Sequence, residues 1–148
     1  MVVNIEALLN KIVWVFGFLF LFSLAFDTNA QMNSTNVIQL DTDEFYIKLN
    51  STIEKIILDV REEKDFKKER IPLAISAYNQ EVLLKLTDTL NHEIPLFIYC
   101  EFISRSIEAS NLLTEKGFAE IYILEEGFMG WKKKKLPVDK NRNPTNKN

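Results

Sequence analysis

The chain has one cysteine, Cys100, and one histidine, His92. With a lone cysteine no internal disulfide can form. A lone histidine with no cysteine close to it offers no metal-ligand spacing, so neither a metal nor another cofactor is expected. Charge of one sign is lacking too. The 18 basic and 21 acidic residues leave a formal charge of -3, too weak a field to draw nucleic acid as a partner. No internal repeat breaks the 148 residues, so one domain is the expectation. Apolar material is present: 47% hydrophobic and 11% aromatic residues suffice for a packed core.

A membrane-length apolar run is also missing. The uncharged stretch from Ile12 to Phe26 holds 15 residues, short of the roughly 18–20 that span a bilayer comfortably. Lys11 precedes it, and the small residues Thr28 and Ala30 follow. That is the layout of a secretory signal peptide over residues 1–30, cut before Gln31. Left uncut it would be an anchor, with membrane contact only through residues 12–26. No cysteine stands directly after the run, which excludes a lipid-modified one. In either case the domain is expected outside the cytoplasm, periplasmic or secreted, or anchored and facing outward.

Residues 31–36 read as a flexible lead-in. "VIQL" is a short strand. "DTDEFYIKL" is a helix capped by Asp41 or Thr42, with Phe45 and Leu49 on one face. "KIILDV" and "PLFIYC" are continuous apolar runs, as in strands covered on both faces, and "EIYIL" is a further strand. The charged "REEKDFKKER" is a helix or loop anchored inward by Phe66. "IPLAISA" is extended, because Pro72 keeps Ile71 out of the helical region. "QEVLLKLTDTLN" is a helix with Leu83, Leu86 and Leu90 on one stripe. Another helix begins near Ser106 and ends at Gly117, a natural left-handed cap. "EEGFMGWKKKK" is a last short helix with Phe128 and Trp131 inward, and 139–148 a disordered tail. Strands alternating with helices give an α/β fold with a mostly parallel sheet over residues 37–138, which carries ligands at the carboxyl ends of its strands.

Cys100 stands at such an end. A thiol reacts as the thiolate, which a helix N-terminus and a ring of inward backbone N–H groups both favour. The stretch from Cys100 to Arg105 can supply both, and Arg105 adds a permanent positive charge. These residues fit a nucleophilic cysteine or an anion-cradling loop. They also fit a buried structural cysteine at a strand end.

Four stretches in order carry a family resemblance. "IILDVREEKDF" (Asp59, Val60, Arg61, Glu62, Phe66) is similar to a "D-V-R-E-x-x-x-(F/Y)" signature, and "ERIPLAISA" to "G-H-I-P-G-A". "PLFIYCEFISRS" is similar to "C-x-x-G-x-R-S", and "ILEEGFMGWKKKKLPV" to "L-x-G-G-x-x-x-W-x-x-x-G-L-P-V". Together they resemble the single-domain rhodaneses, thiosulfate-type sulfurtransferases. The resemblance implies a five-stranded, mostly parallel sheet flanked by helices. It implies that Cys100 is catalytic and carries sulfane sulfur as a persulfide, held by the loop Glu101, Phe102, Ile103, Ser104 and Arg105. Asp59 and Arg61 would pin loops. The partners would be a small-molecule sulfur donor and a thiol or cyanide-like acceptor, with a persulfide carrier protein as a further candidate. The four residues between Cys100 and Arg105 are one fewer than in the C-x5-R loop of phosphatase relatives, which suits a sulfur rather than a phosphoryl group.

The sequence departs from the pattern at several points. Ile103 replaces the loop glycine, Leu73 another, and Glu126 the first of a glycine pair; Glu69 and Arg70 stand where the family often has Gly-His. A β-branched residue at 103 is expected to be costly and to reshape the loop. Glu101 puts a negative charge beside the thiol, which opposes a dianionic donor such as thiosulfate and favours a neutral or carrier-bound persulfide touching Ile103 or Phe102. The same departures leave two further readings, a catalytically weak binding module and a thiol redox sensor. For the N-terminus, Edman sequencing of protein from the native host is expected to start at Gln31. Met1 retained in a membrane fraction would establish an anchor instead.

Overall fold

The computed structural model describes residues 36–140. The expected signal segment 1–30, residues 31–35 of the lead-in and residues 141–148 of the tail lie outside the described residues. Among the described residues no helix is long and apolar enough to cross a membrane.

The elements alternate as the sequence implies: β1 Asn36–Leu40, α1 Thr42–Ser51, β2 Ile56–Asp59, α2 Glu63–Lys68, β3 Glu69–Arg70, β4 Ile75–Ser76, α3 Gln80–Thr87, β5 Leu96–Tyr99, α4 Ser104–Glu115, β6 Glu120–Leu124, α5 Gly127–Lys133 and β7 Asp139–Lys140. Five strands form one parallel sheet in the order β1-β6-β5-β2-β4. Side chains alternate across it. Leu58, Ile98 and Ile121 point to one face, where Leu83 of α3 and Ala109 and Leu113 of α4 cover them. Ile57, Phe97 and Tyr122 point to the other, under Phe45 of α1 and Phe128 and Trp131 of α5. Coverage on both faces explains why these strands read as unbroken apolar runs.

Local signals set the helix ends. Asp41 and Glu44 form a reciprocal capping box at the start of α1. Gly117 takes φ +85° after α4. Several boundaries differ from expectation. The helix expected over 80–91 ends at Thr87, and the stretch 71–77, expected to be extended, turns at Ile71–Ala74 before the two-residue β4. Asn36 opens β1 by pairing with Glu120. Asp139 and Lys140, expected in the tail, pair antiparallel with Arg70 and Glu69. Helix α4 starts at Ser104 rather than near Ser106, so Arg105 lies in its first turn.

One buried ion pair joins the carboxyl ends of β2 and β5. Asp59 and Arg61 are 0% and 3% exposed. The Arg61 Nη2 lies 2.7 Å from Asp59 Oδ2, and its Nε and backbone N–H also donate to Asp59. Nη2 further donates to the Glu69 carbonyl at 2.6 Å. The Tyr99 hydroxyl donates to Asp59 Oδ2 at 2.6 Å and accepts from the Ile71 N–H at 3.1 Å. The guanidinium lies 3.9 Å from the centre of the Phe128 ring, within cation–π range.

Two predictions follow from the backbone and from this cluster. Leu73 sits at φ +67° and is 82% exposed, a left-handed conformation costing an L-residue roughly 1–2 kcal/mol. Leu73→Gly should relieve more than glycine's extra chain entropy of about 0.5–1 kcal/mol and raise Tm by about 2–5 °C in a calorimetric scan. A lower Tm would show that the exposed side chain itself stabilises the turn. Burial, and then the Asp59 carboxylate, push the Tyr99 phenol above its usual range, about 10 in an unfolded chain. The folded protein therefore holds this proton more tightly, and the contribution is complete below pH about 10 and lost as pH rises beyond it. Denaturant melts should show Tyr99 removing up to about 1.4 kcal/mol of stability per pH unit above 10. Tyr99→Phe should be less stable at neutral pH and flatter above pH 10; equal slopes would mean that Tyr99 ionises in the folded state.

Candidate active site

Cys100 is the residue after β5, at the carboxyl edge of the central sheet. It is 2% exposed and borders a pit of about 220 Å³. Two chain segments surround the pit. After β2 come Arg61, Glu62 and Asp65; after β5 come Cys100, Glu101, Phe102, Ser104 and Arg105. The structure thus brings together Arg61 and all the loop residues singled out in the sequence except Ile103.

The loop is held from behind by α5. The Phe128 N–H donates to the Cys100 carbonyl at 2.8 Å, and the Met129 N–H to the Glu101 carbonyl at 3.3 Å. Among the described residues no peptide bond is cis. In a trans peptide the N–H points opposite to its carbonyl, so the N–H groups of Glu101 and Phe102 point away from α5. None of the backbone N–H groups of residues 101–105 donates to another described residue. Five open donors therefore follow directly on the thiol, running into the positive end of α4.

Gly127 makes this attachment possible. It takes φ +60°, and a Cβ there would overlap the carbonyl oxygens of Glu101 and Phe102. It is the second residue of the expected glycine pair, and it is kept. The first, Glu126, needs no glycine: its φ is -81°. Its carboxylate instead accepts from the Thr42 hydroxyl and backbone N–H at the start of α1, tying α5 to that helix.

Ile103 corrects the expectation of strain. Its φ is -140°, outside the left-handed region, so a β-branched side chain is accommodated. That side chain packs on the core beside α4 and is not among the residues around the pit, so it offers a donor no apolar contact there. Phe102, 66% exposed, is the apolar residue that does border the pit.

Charge in the pit is largely paired. Glu101 reaches Arg61 Nη1 at 3.4 Å, so its carboxylate is partly offset by a cation not assigned to it in the sequence. Arg105 reaches Glu62 at 3.3 Å. Contacts with Lys64 and with Arg105 lower the Glu62 pKa below the usual carboxylate range. For Arg61, burial opposes the charge, but hydrogen bonding and attraction to Asp59 outweigh it and raise the pKa. Among the described residues no group of three His, Cys, Asp or Glu side chains could hold a metal ion. Sequence reasoning assigned no role to Glu62, Asp65, Tyr99 or Gly127. The motif containing Glu62 and the retained Gly127 were the available signals.

Comparison with known proteins agrees with this layout. Thiosulfate sulfurtransferase GlpE of Coxiella burnetii is 31% identical over 88 residues, covering 60% of this chain and 81% of that protein. GlpE of Actinobacillus succinogenes is 33% identical over 86 residues, covering 57% and 75%. The uncharacterized protein YibN of Escherichia coli is 28% identical over 85 residues, 56% of this chain; the match spans 59% of its length. Among solved structures, the rhodanese-like domain of an Anabaena protein superposes with a TM-score of 0.63 at 22% identity, covering 74% of this chain and 86% of that one. A thiosulfate sulfurtransferase from Pseudomonas aeruginosa gives 0.62 at 22%, covering 72% and 21%. The model of the rhodanese-like domain matches residues 41–134, which hold four of the five sheet strands, the pit and the helix that holds its loop, and the chain belongs to that family.

Proposed function

We propose that this protein is a sulfurtransferase that carries sulfane sulfur as a persulfide on Cys100. The observation that supports this best is the thiol at the edge of the pit, followed by five backbone N–H groups with no other described partner. An anion on the cysteine sulfur would be stabilised by such donors.

In the first step the Cys100 thiolate attacks the outer sulfur of the donor. A new S–S bond forms on Cys100, the donor's own bond to that sulfur breaks, and the electron pair leaves with the remainder of the donor. From thiosulfate that remainder is sulfite. In the second step an acceptor nucleophile takes the outer sulfur, and the thiolate is regenerated. Cyanide would leave as thiocyanate. Catalysis is covalent and needs no cofactor. Arg105, in the first turn of α4, sets positive charge beside the loop, while Asp59 and Arg61 act as positioning residues that fix the ends of β2 and β5. Export through residues 1–30 is part of this proposal and would place the reaction outside the cytoplasm.

Cys100→Ser should abolish thiocyanate formation, because a hydroxyl cannot carry a sulfane sulfur, yet change Tm by no more than about 5 °C. Intact mass after incubation with a persulfide or thiosulfate should show one added sulfur on wild type and none on the variant. Sulfur transfer by the variant near the wild-type rate would place the chemistry elsewhere. No added sulfur on wild type from any donor would favour a binding module.

A further inference from the structure

Next to the pit lies a larger cavity of about 490 Å³ between α3 and α4, and Arg105 borders both. Val60, Ala77, Leu83 and Leu112 give it apolar surface. Asn79 and Gln80 from the start of α3, with Asn111 from α4, bring side-chain amides. Its volume lies in the range of small-molecule sites, which join apolar surface to a few polar groups. The charges around the two spaces are unequal. Glu62, Asp65 and Glu101 face Arg61 and Arg105 in the pit, and Glu108 adds another carboxylate in the groove. Neither guanidinium is unengaged: Arg61 is bound to Asp59 and Glu101, and Arg105 to Glu62. A sulfur oxyanion entering the pit must therefore compete with carboxylates already in place.

We infer that the groove between α3 and α4 is a specificity site for the organic part of the substrate, and that the preferred donor is a neutral or cationic low-molecular-weight organic persulfide, R–S–SH. This rests on the sulfurtransferase reading above. The sulfane end reaches Cys100 through the pit, and the organic chain passes Arg105 to lie on Val60, Leu83 and Leu112. Amide groups on the chain hydrogen-bond Gln80 and Asn111, and a terminal amine would meet Glu108. In the transfer, the Cys100 thiolate bonds to the outer sulfur, which keeps its hydrogen. The S–S bond of the donor breaks, and its electron pair leaves as the organic thiolate R–S⁻. No oxidant or reductant is required.

The test follows the rate of sulfur gain on Cys100 by intact mass, using the full chain. Four donors are compared: thiosulfate and the persulfides of N-acetylcysteamine, cysteamine and mercaptosuccinate. On wild type the neutral and cationic persulfides should be faster than thiosulfate and the anionic persulfide by on the order of tenfold in second-order rate constant. Glu108 and Asn111 are exposed on α4, so substitution there should leave the fold intact. Glu108→Lys should slow cysteamine persulfide and speed mercaptosuccinate persulfide, each by on the order of fivefold. Asn111→Trp should raise the half-saturating concentration of the organic persulfides and leave thiosulfate unchanged. A wild-type preference for thiosulfate or for the anionic persulfide overturns the inference, even if a variant fails to fold. So do variants that shift all four donors equally or none. Those outcomes leave Cys100 sulfuration standing, whereas no sulfur gain from any donor would sink both the inference and the reading beneath it.

Discussion

The Asp59–Arg61 pair is the constraint on which the rest of the site depends. Two opposite charges are almost fully withdrawn from water, and such a pair is tolerable only when its hydrogen-bonding capacity is filled. Here it is filled by Tyr99, by the Glu69 carbonyl and by the Arg61 backbone N–H. Those partners come from the end of β5, from β3 and from the turn after β2. The ion pair thus holds in one place segments that would otherwise be independent loops. Removing one partner would strand a buried charge at a cost of about 3–5 kcal/mol, a large part of the stability of a domain this size.

A second layer sits on the first. The Phe128 ring covers the Arg61 guanidinium, and the Phe128 N–H holds the Cys100 carbonyl. One residue therefore couples the buried charge to the cysteine loop. Gly127 lets it approach, and Glu126, bound to Thr42, holds the start of α5 against α1. The orientation of the loop amides is thus set by contacts on the far side of the loop from the pit. A rigid backing of this kind stabilises developing charge without rearrangement during the reaction.

Much of this was legible in the sequence, and the exceptions share a cause. The strands at Ile56–Asp59, Leu96–Tyr99 and Glu120–Leu124 were plain because burial on both faces leaves an unbroken apolar run. The helix caps at Asp41 and Gly117 were plain because their chemistry is local. Ile103, Leu73 and Glu126 all read alike, as lost glycines, but the backbone treats them differently. Only Leu73 has a positive φ; Ile103 turns into the core, and Glu126 gains a partner 84 positions away. Whether a glycine is needed depends on backbone angles and neighbours that a single sequence does not display. The same holds for the groove, whose lining comes from the residues that follow β2 and β4 and from α3 and α4, and meets only in the folded chain.

The strand order also has a bearing on how the chain reaches this state. β1 is the first strand described, yet its one neighbour among the described residues is β6, the last strand of the sheet to be made, in register from Asn36↔Glu120 to Leu40↔Leu124. As the chain emerges N-terminus first, β2 can find β4 and then β5 while β1 still has nothing to pair with. A solitary parallel strand has no hairpin to stabilise it, and its contacts require a long loop to close first. The sheet must therefore grow outward from β2 and be completed at its β1 edge. Until β6 emerges, the nascent chain carries an unpaired strand and the exposed apolar face of α1, the period in which a chaperone has most to bind.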